Sequence, residues 1–201
     1  MMLEFNEDKH IYFLDGEQIP CVSEILRFAF REVYGTDKKD KAMDRAALRG
    51  TRIHRACEEI DRTGMTECEP DILQYVSAYV QFLKDHDVSW EEIEKPIFNS
   101  SGDVAFAGTL DRLGVVDGKM TLLDIKSTKS ITAKHKLLYS TQLAAYGACV
   151  GKFIDQFCIL QLKADGTYRL IKVEPNSSVW ISCLMLHYEF MKTEKRKKVS
   201  K

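Results

Sequence analysis

The dipeptide Asp117-Gly118 stands between two runs of alternating apolar and polar residues, Ala105 to Val116 and Met120 to Ser127. A two-residue Asp-Gly connection is a strong signal for a tight hairpin, and such a turn admits one register only. With Val116 facing Lys119, counting back along both strands sets Asp111 directly opposite Asp124. Their Cβ atoms are then expected about 5 Å apart. Lys126 shares the face of Asp124 because side chains alternate along a strand, and Thr109 is its expected cross-strand neighbour. The turn thus brings two carboxylates and one ammonium group together.

Opposed carboxylates repel unless a proton or a cation lies between them. A hard divalent ion such as Mg²⁺ or Mn²⁺ removes the conflict, with water and substrate phosphates completing its shell. The plainer alternative is a surface pair whose charge is met by Arg112 or a lysine. Glu94 lies on the preceding strand and offers a third carboxylate; Glu92 shares its face and is the rival. Gln142 and Tyr146 are four apart on a helix, so they share a face and, taken alone, read as a buried hydrogen-bonded pair. His54 taken alone reads as a satisfied structural histidine. Four residues after Gly50, whose missing side chain admits another backbone, it reads as a ligand.

The remaining pattern predicts one domain over residues 1–201 of mixed α/β class. A hairpin around Asp15-Gly16 occupies residues 1–20. Ser23 caps a short helix carrying Ile25, Leu26, Ala29 and Phe30. A longer helix runs from Lys38 to Arg62, interrupted or tightened at Gly50, and another follows Pro70-Asp71 with Ile72, Tyr75, Val76, Tyr79, Val80 and Leu83 on its apolar face. Strands are predicted at Glu91 to Phe98, Ala105 to Val116 and Met120 to Ser127. A helix from Ala133 to Cys149 leads to a hairpin, Phe157 to Lys163 and Tyr168 to Val173, closed by Asp165-Gly166. A last helix spans Ser177 to Lys192, and the basic tail 192–201 reads as a solvated frayed end, with a DNA contact as the alternative.

Twenty-nine basic and 30 acidic residues give a net charge of -1, so affinity for a polyanion must come from a local patch. Lys38, Lys41, Arg45, Arg49 and Arg52 recur at helical spacing and predict such a stripe, on the opposite side of a straight helix from His54. The six cysteines are scattered singly, as expected of reduced thiols. No phosphate-binding Gly-x-x-x-x-Gly-Lys-[Ser/Thr] loop and no Gly-x-Gly-x-x-Gly occurs, which excludes a motor or dinucleotide enzyme of those types. The acidic start and the lack of a long apolar run predict no membrane span and a cytoplasmic setting.

From Gly50 to Gly147 the ordered motifs resemble those of the PD-(D/E)XK nuclease superfamily, in its RecB-like branch of phage-type exonucleases. Gly50-Thr51-Arg52-Ile53-His54 is similar to the family's Gly-x-x-x-His, and Glu94 stands for its first acid. Gly108-Thr109-Leu110-Asp111-Arg112 is similar to Gly-x-x-Asp-Arg, Asp124-Ile125-Lys126-Ser127 to Asp-x-Lys-[Ser/Thr], and Gln142 with Tyr146 to Gln-x-x-x-Tyr. The resemblance implies a restriction-endonuclease-like sheet flanked by helices. It implies that Asp111, Asp124 and the Ile125 carbonyl hold Mg²⁺ or Mn²⁺, with His54 and Glu94 completing or flanking the site. Lys126 would orient the attacking water, and Gln142 and Tyr146 would position the strand or support the lysine. The cysteine trio of iron-sulfur members of the branch is missing, so no such cluster is expected.

The expectation is therefore a metal-dependent exonuclease acting on single- or double-stranded DNA in recombination, repair or phage DNA processing, alone, as a homo-oligomer, or with a helicase or recombination partner. The alternatives are a catalytically silent nucleic-acid-binding module of the same fold and an enzyme acting on a small phosphorylated nucleotide.

Overall fold

The computed structural model describes residues 1–7, 9–34, 41–102 and 104–199. Three short strands, β1 (Leu3–Asn6), β2 (Ile11–Leu14) and β3 (Glu17–Ile19), form an antiparallel sheet of their own. Asp15 and Gly16 close the β2–β3 hairpin, both with the positive φ that an Asp-Gly turn demands. The pattern predicted only that hairpin; β1, pairing with β2, makes it a sheet.

Ser23 does not cap a helix. It lies inside the four-residue α1 (Val22–Ile25), whose N-cap is Cys21, and a break at Leu26 separates α1 from α2 (Arg27–Tyr34). Leu26 is fully buried there, so packing sets this corner. Next, α3 (Lys41–Thr63) passes through Gly50 without a break, correcting the expected interruption. Its end at Thr63 is followed by Gly64 in the left-handed conformation that stops a helix. Helix α4 (Leu73–Asp85) buries Tyr75, Val76 and Tyr79 as its spacing predicts, with Ile72 buried at its N-cap. It also buries Ala78 and Phe82, whereas Val80 and Leu83, expected on that face, are only half-buried.

The main sheet has five strands in the order β4-β5-β6-β7-β8: β4 (Val88–Ser101), β5 (Val104–Val116), β6 (Lys119–Ser127), β7 (Gln156–Leu162) and β8 (Tyr168–Val173). Pairing is antiparallel except between β6 and β7, which run parallel through the crossover helix α5 (Ala133–Val150). Thr132 caps α5 by accepting from the His135 amide, and Gly151 ends it in the left-handed conformation. The chain closes with α6 (Ser177–Val199), which runs past the predicted end at Lys192 because Lys, Glu and Arg are good helix formers.

Helices cover both faces of the sheet. Ile53, Cys57, Tyr79 and Phe82 of α3 and α4 pack with Leu123, Ile125 and Leu160 on one face. On the other, Leu26, Leu143, Tyr146 and Trp180 pack with Phe106, Leu110, Leu122 and Ile159. Residues 121–125 of β6 are all buried, as a central strand with both faces covered must be. No helix among the described residues is long and apolar enough to cross a membrane.

Candidate functional site

Pairing of β5 with β6 follows the register set by the Asp117-Gly118 turn, from Val116–Lys119 up to Arg112–Leu123. One step further the ladder stops. The Asp111 carboxylate turns back and accepts the Ile125 backbone N–H at 2.6 Å. Thr109, expected beside Lys126, instead shares a 2.8 Å hydrogen bond with the hydroxyl of Tyr12 on β2.

The cause lies on the other side of β5. Leu110 and Leu113 are three apart yet pack in the same core cluster, so strict alternation is lost between them. Opposite, the β4 ladder carries a bulge between Trp90 and Glu92, and Glu94 takes a left-handed backbone, φ 45°. Ile93–Arg112 and Lys95–Leu110 pair on either side of Glu94 and Asp111. This irregularity points Arg112 toward α3 and leaves Glu94 and Asp111 beside His54.

His54, Glu94 and Asp111 form a set whose potential ligand atoms lie within 4.8 Å of one another. His54 Nε2 contacts the Ile125 carbonyl at 3.0 Å, while Nδ1 lies 3.3 Å from Glu94 Oε1 and 3.7 Å from Asp111 Oδ2. Acceptors on both ring nitrogens require both protons, hence an imidazolium. Burial opposes that charge, but Asp111 and Glu94 outweigh it and lift His54 to about 9. Glu94 is likewise pulled two ways: burial raises its carboxyl, and His54 with Arg112 holds it below the usual range. Glu92, the rival third acid, pairs instead with Lys95 at 3.2 Å.

Asp124 is placed differently from the other acids. It is 1 % exposed, and Lys126 Nζ grips its two oxygens at 2.8 and 2.7 Å. Burial pushes its carboxyl up to about 6 against the pull of Lys126, with Asp111 adding to the rise. Lys126 also stands 5.0 Å from the centre of the Tyr139 ring. Gln142 donates to the Tyr146 hydroxyl at 2.8 Å, and its own Oε1 is buried without a partner among the described residues. A Cβ on Gly108 would sit 2.7 Å from the Tyr146 ring, so the missing side chain of Gly108 is what lets that ring lie against β5.

Behind the site is a network the sequence did not announce. Arg112 is 0 % exposed; its Nε donates to Asp61 at 2.6 Å, and Nη1 donates to Glu94 at 3.0 Å and to the Asp111 carbonyl at 2.7 Å. Asp61 also accepts from the Tyr79 hydroxyl at 2.6 Å and from Trp90 Nε1 at 3.2 Å. Asp61 lies seven residues after His54 on α3, two turns along the same face; that spacing was the available signal. Gly50 has a lesser role than expected, since a Cβ there would only touch Ser127 Oγ at 3.7 Å.

The basic stripe is only partly available. Lys38 lies outside the described residues, and Lys41 opens α3. Arg45 is exposed; Arg49 lies over the Tyr75 ring at 5.6 Å, and Arg52 is bound by Glu69 and Asp71 at 2.8 and 2.5 Å. More positive charge stands nearer Lys126: Lys129, Lys134 and Lys136 are exposed between the end of β6 and the first turn of α5. Their crowding just after the Asp-x-Lys strand was the signal for them.

No family model matches the chain, and no curated protein matches it. Among solved structures, one described as "Crystal structure of SSO0001" matches with 14% identity, 84% of each chain covered and a TM-score of 0.33. A likeness at that level carries no argument.

Proposed function

We propose that this protein is a Mg²⁺- or Mn²⁺-dependent deoxyribonuclease with a PD-(D/E)XK-type core, hydrolysing phosphodiester bonds at DNA ends. The observation that carries the reading is the meeting of His54, Glu94 and Asp111 beside the Asp124–Lys126 pair. Two carboxylates and an imidazole suit a hard or borderline divalent ion. A cation would replace the proton that the histidine holds between those acids. When bound, the ion would polarise the phosphoryl oxygens and neutralise charge that develops on them.

The chain's own residues supply the rest. The Ile125 N–H fixes Asp111, and Arg112 fixes Glu94, so neither ligand needs to reorganise. Asp124 holds Lys126 at the end of β6, where the ammonium orients a water and faces the charge it develops on attack. Water adds across the phosphodiester: its oxygen bonds to phosphorus, one P–O ester bond breaks, and the departing oxygen takes a proton. The products are a phosphate monoester and a hydroxyl end. Action on ends, and any helicase, recombination partner or oligomer that would feed them, belong to the resemblance at Gln142 and Tyr146.

The test is degradation of end-labelled linear and circular DNA with Mg²⁺ or Mn²⁺. We expect linear DNA to be consumed, circles to survive, and EDTA to stop the reaction. Asp124→Ala or Lys126→Ala should lose roughly a hundredfold or more in rate while staying folded. Undiminished cleavage by folded Asp124→Ala overturns the assignment.

A further inference from the structure

The three-stranded N-terminal sheet carries aromatic rings that hydrolysis does not require. Phe5 and Tyr12 are cross-strand partners whose rings stack at 4.5 Å and 19°. His10 stands edge-on to both, at 5.4 and 5.5 Å. Tyr12 is fully buried, Phe5 half-buried and His10 exposed, so the trio runs from the interior to the surface. A small sheet that only needed to pack would turn such a ring inward; His10 is held at the surface by a left-handed backbone, φ 51°.

The inner end of this trio leads to the acids. Tyr12 hydrogen-bonds Thr109, which precedes Asp111 by two positions on β5. Two residues of extended strand span about the length of one nucleotide in an extended chain. Burial, with Glu94 among the contributors, pushes the Tyr12 hydroxyl up to about 12, so it keeps its proton as the link to Thr109. Aromatic rings that run from the interior to the surface beside the candidate centre fit one part of a nucleic acid, the unpaired base, because every base has a π-face whatever its sequence. A paired base in a duplex has no free face to offer.

We propose that His10 and Phe5 form a stacking platform for the base next to the scissile phosphate, so that the substrate enters as a single strand. This rests on the hydrolytic reading above, and the experiment separates the two. Single-stranded oligonucleotides bearing bases, or abasic residues, at the positions nearest the cut are compared by anisotropy in EDTA and by hydrolysis in Mn²⁺. Wild type should bind the base-bearing strand roughly 5- to 150-fold more tightly, the range of a single stacked base. His10→Ala and Phe5→Leu, the second keeping apolar bulk without a ring, should lose that preference while binding the abasic strand as wild type does. Equal binding of both strands by wild type, or an undiminished preference in both variants, overturns the platform whatever the hydrolysis shows. A ring-dependent preference in a protein that cuts neither strand supports the platform and overturns the hydrolytic reading instead.

Discussion

Arg112 is the residue on which the geometry of the site turns. Removing one partner of a buried ion pair leaves the other charged in a dry place, at a cost of about 3–5 kcal/mol. Arg112→Met should therefore lose stability on that scale in denaturant melts, because Asp61, 1 % exposed at its side chain, is stranded. Arg52→Met breaks two contacts with exposed acids. It should cost less than about 1 kcal/mol. Comparable losses in the two variants would contradict this placement of Arg112. The sequence suggested Arg112 only as one counter-ion for the aspartates; its turn toward α3 depends on the lapse in alternation after Leu110, which no residue type marks. His54 gives a second prediction. Its folded value, about 9, lies above its ordinary 6.5, so its contribution is complete below about pH 6.5 and disappears as pH rises through 9. In EDTA, melts across that window should show wild type losing its advantage over His54→Gln; a constant difference would contradict the imidazolium.

At the scale of elements, the β4–β5 pairing concentrates the irregularity. A Cβ on Gly114 would lie 2.2 Å from the Ser89 carbonyl oxygen and 2.7 Å from Trp90 Cα, both backbone atoms that cannot swing aside. The bulge after Trp90 rests against that glycine, and beyond it the strand reaches the left-handed Glu94. Gly114→Ala should then disturb the acid pair from a distance, costing roughly 1–3 kcal/mol of strain and weakening Mn²⁺ binding as well. Titration of Mn²⁺ by electron spin resonance reads the second effect; unchanged affinity would show that bulge and site are independent. The Asp-Gly turns were legible because a two-residue connection with positive φ has few sequence solutions. The bulge was not, because Glu91 and Glu94 look like any strand residues, and the extra beat is visible only once β5 lies beside them.

For the whole molecule, the candidate ligands come from distant stretches of chain: His54 on α3, Glu94 on β4, and Asp111 on β5. The alternation of helical and strand periods made the mixed class legible, and of the residues the motif order singled out, His54, Glu94 and Asp111 come together in the fold. The parallel pairing of β6 with β7 follows from a helix-long crossover, which carries the chain from the end of β6 back to the end of the sheet where β6 began. What the pattern could not supply was the N-terminal sheet lying against β5, since Tyr12 and Thr109 are 97 residues apart and neither is unusual alone. An ion held by three such elements would bind the folded chain and not the unfolded one. Saturation at a hundred times its dissociation constant then adds about 2.7 kcal/mol to global stability. For a domain of this size that raises the melting temperature by on the order of 5–10 °C. Asp111→Asn should abolish the rise with Mn²⁺ while Glu92→Gln, on the neighbouring rival acid, retains it. If both variants keep the shift, the ion that stabilises the fold is not held where His54, Glu94 and Asp111 converge.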